Sequence, residues 1–137
     1  MVDGRTPQDK GSRTLRAYDV VLIDSRTGVT EMGGVCAYQL ADAVLMLCSA
    51  NDQSIDGTLA VAKDFQSDAV QALRRGRSLE LLVLPARLED SNELREEFLR
   101  RFESKFANSL FWPTVLSNAG LDYRRLALPY VPELAVI

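Results

Sequence analysis

Apolar positions in this chain fall into short unbroken runs and longer periodic stretches, and the two kinds alternate. Val20–Ile23 is a branched run that follows Tyr18 and Asp19 and ends in Asp24. Val44–Cys48 is a further run of the same kind, and Leu79–Leu84, interrupted only at Glu80, is another, ended by Pro85. Runs this short and continuous predict strands buried on both faces. Between the second and third, Ile55, Leu59, Ala62, Phe65, Ala69 and Leu73 recur every three or four positions. That spacing predicts one long helix from residue 53 or 54 to Arg74, stopped by Gly76. Leu94, Phe98, Phe102 and Phe106 predict a second helix over residues 92–106, with Glu96–Arg100 and Glu97–Arg101 as stabilising pairs on its other faces. A short helix over Val35–Ala41 and a last short strand over Ala127–Tyr130 complete the pattern.

Strand and helix in alternation predict an α/β fold, a mainly parallel sheet flanked by helices. Residues 1–14 are polar and read as a flexible tail or truncated loop, and residues 15–137 read as one unit.

Chemistry concentrates where strands end, because open α/β sheets keep ligand sites at the carboxyl edge of their strands. Asp24 stands at such an end, and a carboxylate there can hold Mg²⁺ directly or through water, or serve as a cap or turn acceptor. Gly28 can bring its N–H close to a phosphate, because no side chain intervenes. Arg26 can contact a phosphate or a partner subunit with its planar fork, or pair with a surface acid. Thr27 offers a hydroxyl or a turn, and Gly33-Gly34 a mobile loop or a simple turn. Asn51–Ser54 follows the second strand as a ligand-side loop or a helix cap. Pro85 and Arg87 follow the third, where a purine ring could rest, or where Arg87 faces solvent.

Composition narrows the field. A formal charge of −3 gives no electrostatic case for nucleic acid or an anionic membrane. The short basic clusters, Arg74, Arg75 and Arg77 and then Arg100 and Arg101, read as solvated faces. Histidine is absent, which excludes Ser-His-Asp chemistry and His-rich zinc sites within the chain. Cys36 and Cys48 lie in apolar segments and read as buried thiols of a reducing, cytoplasmic compartment. No apolar segment has the length of a transmembrane span.

From Tyr18 onward the chain resembles the C-terminal half of the ParA/MinD-type deviant Walker A P-loop ATPases. Its run into Asp24, followed by Ser25-Arg26-Thr27-Gly28, resembles that family's Walker B strand and switch, where Thr-Pro-Pro is usual in place of Ser25-Arg26-Thr27. The Asp-Ser-Arg-Thr-Gly switch, Asn51–Gly57, Leu84–Asp90 and Leu128–Ala135 resemble a bacterial subgroup often fused to signalling or repeat modules. The resemblance implies a partial P-loop NTPase-like, Rossmann-like fold, ATP and Mg²⁺ binding, slow hydrolysis and nucleotide-dependent dimerisation. Asp24, Arg26 and Gly28 are then the expected catalytic residues, with Asp24 on the metal. Asp24, Ser25, Thr27, Gly28, Pro85 and Arg87 are the expected nucleotide contacts.

The family's lysines belong to a glycine-rich loop. Gly4–Ser12 only echoes one, with Asp9 at the second glycine position and Gly11 after Lys10. The expectation is therefore the later part of a nucleotide-binding domain, with little or no ATPase activity and no bound ATP or Mg²⁺ by itself. A homodimer or an upstream domain would supply the loop. A non-catalytic regulatory or protein-interaction module is the alternative. A phosphoacceptor receiver domain needs a pair of acids on an earlier strand, which nothing before Tyr18 provides.

Overall fold

The two apolar runs at Val44 and Leu79 become the sheet. The computed structural model describes residues 18–24, 39–107 and 111–136. In it β1 (Ala43–Ser49) and β2 (Glu80–Ala86) pair in parallel, in register from Ala43 opposite Glu80 to Ser49 opposite Ala86. A parallel pair needs a long crossover. Here it is α1 (Asp52–Phe65) followed by α2 (Asp68–Leu73). After β2 come α3 (Asn92–Phe106), the short α4 (Thr114–Asn118) and α5 (Tyr123–Leu126), and a 3₁₀ turn at Pro132–Val136. The result is an α/β arrangement with helices flanking a two-stranded parallel sheet. Among the described residues no helix is long and apolar enough to cross a membrane.

The expected buried strand at Tyr18–Asp24 is not formed. These residues carry no strand, and every one is exposed, Leu22 at 91%. Apolar composition supplies strand propensity, but burial comes from pairing and cover by other elements. Among the described residues nothing pairs with this stretch. The expected helix at Val35–Ala41 lies largely outside the described residues.

Two further expectations need refinement. The single long helix is broken after Phe65. Gln66 and Ser67 close a tight turn through bonds to the Lys63 and Asp64 carbonyls, and Ser67 Oγ then accepts the Val70 N–H to cap α2. Serine competes well for backbone groups, so it restarts a helix more readily than it continues one. The third strand does not stop before Pro85 but includes it. The Asp42 carbonyl accepts the Glu80 N–H at 3.0 Å, which turns the even-numbered residues of β1 and β2 toward each other. The odd-numbered residues of β2 face the opposite edge, as the bond from the Val83 N–H to the Phe111 carbonyl shows. Proline at position 85 therefore removes no bond to β1. Its carbonyl still accepts the Leu128 N–H at 3.0 Å.

The stop at Gly76 is as expected, with Gly76 at φ 80° and Arg75 at φ 53° in the left-handed region. Arg74 is not on a solvated face. Only 2% exposed, it sends Nε to the Arg77 carbonyl at 3.1 Å and a terminal nitrogen to the Ser78 carbonyl at 2.6 Å. A buried charge needs such partners, and here they bind the exit of α2 to the entry of β2.

The core lies between the sheet, α1 and α3. Cys48, Ile55, Phe65, Val83, Phe98 and Phe102 are all buried in it. Aromatic rings continue it toward the C-terminus. Phe102 meets Phe106 at 4.7 Å and Tyr123 at 5.2 Å between centroids, and Trp112 meets Tyr123 at 4.4 Å. Such pairs add about 0.5–1.5 kcal/mol beyond area burial. The Tyr123 hydroxyl donates to the Phe106 carbonyl at the open end of α3. The expected strand over Ala127–Tyr130 is reduced to a single parallel bridge between Leu88 and Pro129.

Candidate functional site at the carboxyl edge of the sheet

Both strands end at one edge, and the segments that leave them meet there. After β1, Asn51 Oδ1 accepts the Ser54 N–H at 2.7 Å and caps α1. Ser54 Oγ accepts the Ser49 N–H at 2.9 Å. It also contacts Cys48 Sγ at 3.8 Å. Burial pushes the Cys48 thiol up, with hydrogen bonds from Ser54 and Thr58 partly opposing the shift. A buried thiol held protonated is a poor nucleophile. Asp52 pairs with Arg101 of α3 at 2.5 Å. Asn51 and Ser54 are thus engaged at the start of α1, and Asp52 in holding α1 to α3.

After β2 the chain turns sharply at Arg87, whose φ of 56° is unusual for a residue with a side chain. The turn sets Leu88 against the C-terminal segment. Its N–H donates to the Leu128 carbonyl at 3.1 Å, and its carbonyl accepts the Tyr130 N–H at 2.9 Å. The exposed Arg87 guanidinium lies over the Tyr130 ring, 5.2 Å from its centroid. Arg95 of α3 holds the Glu89 carbonyl with two N–H bonds, at 3.2 and 3.1 Å. Between these segments is a cleft of about 210 Å³, lined by Ala50, Leu88, Glu89, Leu94, Phe98 and Arg101 among others. Leu94, expected on the buried stripe of α3, is 55% exposed and forms one wall.

Of the expected site residues the structure describes Asp24, Pro85 and Arg87. Pro85 is fully buried inside β2 and offers no surface to a purine. Arg87 is at the expected edge, but engaged with Tyr130. Asp24 is exposed at the end of an unpaired stretch. Ser25, Arg26, Thr27, Gly28 and the Gly33-Gly34 pair lie outside the described residues. Among the described residues no group of three or more acids, cysteines or histidines is placed to hold a metal ion. The cleft is also smaller than the roughly 300–1,000 Å³ of ordinary ligand pockets.

No sequence pattern signals the Asp52–Arg101 link. The two residues are far apart in the chain, and spacing along α3 suggested a local Glu97–Arg101 pair instead. The Glu96–Arg100 pair is likewise replaced. Arg124 of α5 reaches Glu96 at 2.8 Å and Glu103 at 3.0 Å. Glu96 and Glu103 lie two helical turns apart on one face of α3, a spacing that could have indicated a shared cation.

No family model, curated protein or solved structure matches the chain.

Proposed function

We propose that this chain is a ParA/MinD-like nucleotide-binding-fold module that does not turn over ATP by itself. The observation that carries the reading is the β1–α1–α2–β2 unit. It is a parallel crossover whose two strand ends open onto one edge, the place where such sheets bind ligands. The Asp-Ser-Arg-Thr-Gly motif at Asp24–Gly28 gives the reading its family by resemblance. The missing turnover follows from the missing cradle, because phosphoryl transfer depends on an assembled set of charges and N–H donors around the phosphates. A single carboxylate does not replace them.

The test joins a ParA/MinD-type glycine-rich half ahead of Met1 and measures ATP hydrolysis. Turnover is expected in the joined protein, and Asp24→Ala is expected to abolish it with the circular dichroism spectrum unchanged. Undiminished turnover in the variant contradicts the role assigned to Asp24.

A further inference from the structure

Among the described residues two apolar surfaces are left without cover. The first is the stretch Tyr18–Asp24. Tyr18, Val20, Val21, Leu22 and Ile23 all stand in solvent, the least exposed at 46%. The second is the outer side of β1, where Leu45 is 56% and Leu47 53% exposed. The even-numbered residues of β1 bond to β2, so the N–H and C=O groups of Leu45 and Leu47 point to the free edge. Among the described residues the end of that edge is closed, where the Ser49 N–H meets Ser54 Oγ. Natural edge strands are guarded by charge, proline or a bulge. Ala43–Ser49 contains no charged residue and no proline, and its register with β2 runs without a bulge.

We propose that a second copy of this chain covers that edge, with Tyr18–Asp24 of each copy adding as a strand to β1 of the other. The run matches β1 in length and has the same branched, apolar character. Backbone pairing would satisfy the free edge, and Tyr18, Val20 and Leu22, which share one face of such a strand, would meet Leu45 and Leu47. The segment lies exposed rather than on its own sheet, which leaves it available to another copy. Reciprocal exchange uses both surfaces of both copies and closes as a two-fold dimer, where a one-way addition would continue into a fibre. Tyr18, Val20 and Leu22 of one copy with Leu45 and Leu47 of the other make five apolar side chains at each of two contacts, and at about 100 Å² apiece they give on the order of 1,000 Å², the lower end of a specific interface. The inference does not depend on the nucleotide reading, since it uses neither Asp24 chemistry nor the cleft.

Sedimentation velocity over a concentration series tests it, on the full chain and on two variants, Leu22→Lys and Leu45→Glu. The unmodified chain is expected to dimerise. Each variant alone carries an unmatched charge at both contacts and is expected to dimerise about ten- to a hundredfold more weakly. Mixed together, the variants form one Lys–Glu contact and one unmodified Leu–Leu contact, so a heterodimer is expected within about tenfold of the original affinity. Val20→Lys replaces Leu22→Lys if circular dichroism shows that variant unfolded. A monomer at every concentration overturns the proposal, as does a dimer indifferent to both changes or a mixture that forms no heterodimer. A monomer whose thermal stability falls in Leu22→Lys also overturns it, because the strand would then be docked on its own sheet.

Discussion

Tyr123 shows how one side chain closes this fold. It is packed between Phe102 and Trp112 and donates its hydroxyl to the last turn of α3. Burial, with a smaller push from the Glu103 carboxylate, raises its pKa to about 12. In the unfolded chain a tyrosine ionises near pH 10. Its contribution is therefore complete below about pH 10 and is lost as pH rises toward about 12. Tyr123→Phe removes the hydroxyl and its titration. At pH 7 the variant is expected to be about 1 kcal/mol less stable. Between pH 10 and 12 that deficit is expected to shrink, as read by denaturant unfolding at each pH. A deficit that stays constant across this range contradicts the account. Position 85 teaches a different lesson. A proline after an apolar run reads as a strand end, and only the direction of the β2 bonds shows why it is tolerated inside. That direction depends on which neighbour the strand takes, which no local pattern encodes.

At the scale of elements, the legible parts were those with long periodicity. The helix Asn92–Phe106 has the expected bounds because four apolar residues repeat along one face and Ser91 precedes it. Strand β1 was legible as an unbroken apolar run between polar ends, and β2 as a run interrupted only at Glu80. Tyr18–Asp24 has the same composition and is not a strand, because no described partner pairs with it. The break between α1 and α2 was hidden by a stripe that continues in phase through Ser67. Core and cap should differ in weight. Phe102→Ala empties a fully buried site among three rings and is expected to cost about 3–5 kcal/mol. Asn51→Ala removes only the α1 cap and is expected to cost about 1 kcal/mol. Urea denaturation measures both, and a cap loss as large as the core loss contradicts this division.

For the whole molecule, the sequence located the carboxyl edge of the sheet but not the state of its side chains. Asn51 caps α1, Asp52 binds Arg101, and Arg87 covers Tyr130. These links form between elements distant in sequence, so spacing along any one element does not reveal them. Beside them is a cleft of about 210 Å³, below the roughly 300–1,000 Å³ of ordinary ligand pockets. The central proposal is a nucleotide-binding-type fold that binds no nucleotide by itself. Calorimetric titration of the purified chain with ATP and Mg²⁺ tests it most directly. The account predicts no saturable heat at ATP concentrations up to about 1 mM, the affinity of only about −4 kcal/mol that scattered contacts supply. A tight, Mg²⁺-dependent isotherm from the 137-residue chain alone would contradict it.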